Sequence, residues 1–92
     1  MKIEEILNKY LEYIIKELNY SNETKIDYEN DIKIYINFLH ENNINYVTIK
    51  KDDILKYLKY LDMFKYSNKT ISRNLSSLRS FYSYLFIKKI WI

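Results

Sequence analysis

Apolar residues recur along this chain at helical rather than strand intervals. Ile3, Ile6, Leu7, Tyr10, Leu11, Ile14, Ile15 and Leu18 keep a three-four spacing without a miss, which predicts a first amphipathic helix. Ser21 is a good N-cap for a second, whose apolar face runs Tyr28, Ile32, Tyr35, Leu39, flanked by Ile36 and Phe38, until Asn42, Asn43 and Asn45 end it. A third begins after Thr48 or Lys51, with Asp52 and Asp53 suited to its positive N-terminal dipole, and buries Ile54, Tyr57, Leu58 and Leu61. Ser67 or Asn68 caps a fourth that reaches about Phe86, with Ile71, Leu75, Leu78, Phe81, Tyr82 and Leu85 on one side. The short β-branched stretch from Val47 to Ile49 only bridges two helices. The pattern predicts one all-α domain, a bundle of four helices with short connections.

Composition narrows the chemistry. The 92 residues include no Gly, Pro or Cys. A glycine-rich phosphate loop is therefore excluded, as are a disulfide framework and a thiolate metal site, and a reducing, cytoplasmic setting is expected. Glu4, Glu5, Glu12 and Glu17 interrupt the apolar positions of the N-terminal segment, so no secretory leader is expected there, and no run is long enough to span a membrane.

Charge is divided sharply. Asp62 is the last carboxylate side chain, and after it come six basic ones: Lys65, Lys69, Arg73, Arg79, Lys88 and Lys89. The formal net charge of +3 is the balance of a −3 segment and a +6 segment. A uniformly basic segment implies a polyanionic partner, with nucleic acid the leading candidate. Projected at about 100° per residue, the fourth helix gathers Lys69, Arg73, Ser76, Ser80 and Ser83 opposite its apolar side, with Ser72, Ser77 and Arg79 at the edges. A merely solvated face would more readily carry Glu, Lys and Gln, as the first helix does. Small hydroxyls let a helix approach a surface closely and donate to phosphate oxygens, and Arg can clamp a phosphate or read guanine.

Two stretches carry a family resemblance. SNETKIDYENDIKIYINFL resembles the second helix of the N-terminal, core-binding domain of tyrosine recombinases (phage integrases and Xer-type enzymes), with Ser21, Thr24, Tyr28, Asp31 and Ile32 on its pattern. SNKTISRNLSSLRSFYSYL is similar to that domain's fourth helix, with Ser67, Thr70, Ile71, Arg73, Leu75, Ser76, Leu78, Arg79, Phe81, Tyr82, Tyr84 and Leu85 in register. Ile49 to Leu61 resembles the helix between them. The resemblance implies a SAM-like orthogonal four-helix bundle over residues 1–88, with 89–92 opening a linker to a catalytic domain. It further implies one half of a clamp around double-stranded DNA for recombination and integration, and contacts with other protomers in a tetramer on DNA, in a nucleoid-associated setting. The DNA-binding residues expected on this basis are Ser21, Thr24 and Lys25 on the second helix and Ser67, Lys69, Thr70, Arg73, Ser76, Ser77, Arg79 and Ser80 on the fourth. Arg73 and Ser77 are the ones expected at base edges, while Arg79 could instead pair with a neighbouring carboxylate. Asp27, Glu29 and Asn30 depart from the basic character common on the family's second helix, so the fourth helix is expected to dominate the electrostatics.

No catalytic residue, metal, cofactor or small-molecule substrate is expected in this chain. The family's chemistry needs a tyrosine nucleophile, two arginines, a lysine and a His or Trp partner, which the resemblance assigns to a separate domain. Here there are only two Arg, one His and no His-x-x-Arg, and Tyr28, Tyr35, Tyr57 and Tyr82 sit on apolar faces. His40 reads as a surface residue near a helix C-terminus, and Asp52–Asp53 as a helix start rather than a metal pair. Trp91 and Ile92 read as the first linker residues. Two other readings stay open: a small helical protein-interaction module, and a non-catalytic phage accessory protein that binds DNA.

Overall fold

The computed structural model describes residues 2–88, and the expected linker 89–92 lies outside them. Four helices follow one another: α1 Ile3–Lys16, α2 Asn22–Glu41, α3 Lys51–Met63 and α4 Asn68–Lys88. Their starts match the polar signals. Ser21 accepts from the Thr24 N–H through its side chain, and the Asp53 carboxylate accepts from the Lys50 N–H at 3.0 Å, so two otherwise orphaned donors find partners. The Val47 stretch is a turn, closed by the Thr48 N–H on the Asn45 carbonyl.

Helix ends pose a problem for a chain without glycine, because the residue after a helix often adopts a left-handed conformation. Asn19, Asn43 and Lys65 take it, with φ of 56°, 52° and 58°. After α2 the Asn43 N–H reaches the His40 carbonyl and the Ile44 N–H reaches that of Leu39. After α3 the same two bonds run from Lys65 to Asp62 and from Tyr66 to Leu61. Asn tolerates this backbone through local hydrogen bonding; Lys65 adopts it with the steric penalty of a Cβ.

α2 is the central helix and packs against the other three. Ile6, Tyr10 and Ile14 of α1, Ile32 and Tyr35 of α2, Tyr57 of α3, and Phe81 and Leu85 of α4 are fully buried together. Each contributes on the order of 2 kcal/mol by leaving water. The Tyr10 ring meets Phe81 edge-on at 5.3 Å between centroids, and Tyr35 meets Tyr57 in the same way at 5.1 Å. Tyrosine hydroxyls in the interior need partners, and those of Tyr10, Tyr35, Tyr57 and the half-buried Tyr82 have them. Tyr10 donates to Ser80, Tyr57 to Asn74, and Tyr82 to the Tyr46 carbonyl while sharing a 2.6 Å bond with Tyr35.

Three expectations shift. Of the four residues expected to be buried on α3, Tyr57 and Leu61 are, and Ile54 and Leu58 are half-buried. Leu18 lies beyond the end of α1 and is exposed, because the helix stops at Lys16. The buried face of α4 is rotated toward Asn74, Ser77 and Tyr84, leaving Ile71, Leu75 and Tyr82 only half-buried. Asn74 and Ser77 belong to a polar cluster on the α2–α4 seam, and Tyr84 packs against Tyr10 and Tyr13 of α1.

Candidate nucleic-acid interface

α2 and α4 begin alike. Ser21 Oγ accepts from the Thr24 N–H at 3.1 Å and donates to Thr24 Oγ1 at 3.0 Å. Ser67 Oγ does the same with Thr70, at the same two distances. Each cap consumes its serine hydroxyl and the threonine N–H, and the N–H groups of the two residues between them remain at the helix start, a position that favours an anion. The charge placed there differs. α2 carries Glu23 in its first turn, whereas the first turn of α4 holds no acid and carries Lys69, which is exposed.

On the seam, Asp31 projects from α2 at a position completely buried. The Arg73 guanidinium donates to both of its carboxylate oxygens, from Nε at 3.1 Å and from Nη2 at 2.8 Å. The Ser77 hydroxyl adds a 2.6 Å bond to Oδ2. Asn74 donates to the Asp31 carbonyl while accepting from Tyr57, so the cluster extends to α3. A buried carboxylate without such partners would cost several kcal/mol, and this one is fully supplied. The carboxylate in turn raises the pKa of Arg73, chiefly through their hydrogen bonds, and fixes it as a cation.

The cluster reassigns several of the residues expected to meet DNA. Ser77 is buried and its hydroxyl is committed to Asp31, so it does not face a base edge. Ser80 is half-buried and accepts from Tyr10. The arginine that pairs with a carboxylate is Arg73, not Arg79, which is exposed and in no ion pair among the described residues. Lys25 sits half-buried on the α1 side of α2, lining a cleft with Glu12, Ile15 and Glu29. Thr24 and Thr70 are half-buried behind their caps, and Ser21 and Ser67 are exposed. The exposed polar strip of α4 therefore comprises Lys69, Ser72, Arg73, Ser76, Arg79 and Ser83. Ser76 spends its proton on the Ser72 carbonyl at 3.2 Å. Sequence reasoning missed Asp31 and Asn74 as cluster members. The available signal was an acid at a core register position, between Tyr28 and Ile32, which demands a buried partner.

Four tyrosines of the interior are held in their protonated form. Burial pushes Tyr35 up to about 12 against the opposing hydrogen bond from Tyr82, and it raises Tyr10, Tyr57 and Tyr82 further. His40 is exposed in the last turn of α2, 3.3 Å from Glu4. Among the described residues no group of acids, His or Cys is arranged to hold a metal, and no helix is long and apolar enough to cross a membrane.

Comparison with known proteins places this geometry. A model described as the phage integrase N-terminal SAM-like domain matches residues 7–89. A candidate tyrosine recombinase of Caldanaerobacter subterraneus subsp. tengcongensis is 37% identical over 86 residues, covering 94% of this chain and 30% of its own length. The tyrosine recombinase XerC of Rickettsia canadensis is 36% identical, covering 90% and 29%, and that of Listeria innocua is 40% identical, covering 84% and 26%. The chain thus spans under a third of the length of these relatives. No solved structure gives a significant match. A match over nearly the whole chain, on a four-helix bundle with this order of elements, shows that the chain belongs to the phage integrase N-terminal, SAM-like domain family.

Proposed function

We propose that this chain is the core-binding domain of a tyrosine site-specific recombinase and that it holds duplex DNA. The contact surface consists of the start of α2 at Ser21 and the start and exposed strip of α4: Ser67, Lys69, Thr70, Ser72, Arg73, Ser76 and Arg79. The observation that carries the reading is α4 itself, whose 21 residues include no acid and whose bases lie on its exposed side. Such a face gains by displacing counterions from phosphates, and its short hydroxyl side chains keep the helix axis close to the duplex. Strand cleavage and rejoining would belong to the part of the recombinase outside the matched region, and assembly on DNA with other protomers to the whole enzyme, in a cytoplasmic, nucleoid-associated setting.

Fluorescence anisotropy with a mixed-sequence duplex tests this. About four to six phosphate contacts predict weak binding with a log–log salt slope near −4 to −5. Absence of binding at low salt would contradict the reading.

A further inference from the structure

The distances around Arg73 define how it can meet DNA, and the argument rests on the DNA-binding reading above. A guanidinium carries five N–H donors in a rigid plane. Asp31 takes one from Nε and one from Nη2, along a single edge, at 3.1 and 2.8 Å. Asp31 is itself held on two sides: it is completely buried, and Ser77 bonds its Oδ2 from the adjacent turn of α4. The opposite end of the guanidinium, with Nη1 and the outer hydrogen of Nη2, makes no hydrogen bond among the described residues, and the side chain as a whole is 41% exposed.

An arginine that reads a base must extend away from its helix into the groove. Arg73 instead lies across the seam onto α2, bonded to Asp31 along one edge, which keeps it from extending into a groove and leaves its other edge for a phosphate. We infer that Asp31 is a positioning residue for DNA binding: it holds Arg73 flat across the α2–α4 seam so that the outward end of the guanidinium meets one backbone phosphate. Arg73 then bridges a buried carboxylate and a phosphate at once, and neither contact requires the other to break. Arg, unlike Lys, has separate edges for the two tasks. The side-chain reordering that a free surface arginine would undergo on binding is already complete before DNA arrives.

The chain has only two arginines, so its Nε–H signals in a nitrogen-edited NMR spectrum are two and separable. The test follows the Arg73 Nε–H and Nη groups of the wild-type chain while a mixed-sequence duplex is added. The Nε–H is expected to stay protected from water exchange in the complex, within about threefold of its free rate, while the Nη signals shift and slow. Loss of Nε–H protection on binding would show Arg73 leaving Asp31 for the DNA and would overturn the inference. Nη signals that stay still while neighbouring α4 amides shift would overturn it too. If nothing in the protein shifts, the DNA reading itself falls, and this inference with it.

Affinity supplies a second readout of opposite sign from charge alone. Asp31→Asn removes a negative charge beside the face, which by charge alone would tighten binding. Positioning predicts binding weakened about threefold or more, and no further weakening when Asp31→Asn is added to Arg73→Ala. Equal or tighter binding by a folded Asp31→Asn variant would refute it. Arg73→Lys keeps the charge but has no second edge, and it is expected to weaken binding by a similar factor; wild-type affinity in that variant would reduce Arg73 to a point charge.

Discussion

α2 and α4 open with the same cap, Ser-Asn-x-Thr, at matching distances, and they pack against each other, yet they put that geometry to different uses. α2 follows its cap with Glu23, Asp27 and Glu29 and sends Asp31 into the interior. α4 carries no acid, and its Arg73 and Ser77 reach across to neutralise and hydrogen-bond the carboxylate that α2 has buried. α2 is therefore the helix that organises the bundle, and α4 the helix that faces outward with charge. Local structure follows the cap and the apolar period in both; the sign of the charge laid over them separates scaffold from surface.

The largest expected effect comes from breaking the dependence of α2 on α4. Arg73→Ala strands a buried carboxylate and is expected to cost about 3 kcal/mol, the low end of the range for such pairs because Arg73 is partly in water. Urea denaturation measures it, and a loss below about 1 kcal/mol would mean that Asp31 finds other partners. Unfolding of the free domain is a real outcome at that cost, since small domains hold only about 5–15 kcal/mol.

The seam also sets an alkaline limit. Tyr35 and Tyr82 share a proton-bearing bond across it, and burial raises their pKa values, Tyr35 to about 12 and Tyr82 further, as it does for Tyr10 and Tyr57. A raised folded pKa means that the unfolded chain loses these protons first. Stability is then fully present below about pH 10, and it falls as pH rises above that, by up to about 1.4 kcal/mol per pH unit for each tyrosine. Denaturation followed from pH 8 to 11 checks the sign, and Tyr82→Phe should flatten the fall.

Charge exchange at the two helix starts sharpens the comparison. Lys69→Ala is expected to weaken duplex binding about tenfold near 0.1 M salt if it neutralises one phosphate. Glu23→Lys should strengthen binding if α2 begins against the same duplex. Anisotropy at fixed salt reads both, and an Lys69→Ala variant with unchanged affinity would remove the start of α4 from the contact surface. Smaller still, Ser21→Ala and Ser67→Ala should each cost about 1 kcal/mol of stability, equally, because their cap geometry is the same. Thermal melts that separate the two would show that one cap is reinforced from elsewhere.

The sequence made the scaffold legible where one signal dominated. The three-four run through Ile6, Tyr10 and Ile14 read as a buried helix face and Ser21 as a cap, while the cap of the fourth helix lay between Ser67 and Asn68 and the structure gives it to Ser67. It was less legible on α4, where Ser77 and Arg73 look like surface residues on a helical projection. A projection sorts residues by polarity, and burial is decided by the neighbouring helix. Asp31 was the key to that misreading. Its place in the apolar register required a donor, and the donors sit forty-odd residues away on α4. Asn74 was missed for a related reason, since it bonds the Asp31 carbonyl across the seam, and Tyr84 because α1 covers it.

The central claim, that duplex DNA lies against α4 and the start of α2, is tested most directly by titrating the isotope-labelled chain with a short duplex at low and moderate salt. The account predicts amide shifts confined to residues 21–24 and 67–80, strongest near Lys69, Arg73 and Ser76 and fading as salt rises. Shifts centred instead on α1 or α3, or no shifts at low salt, would contradict it.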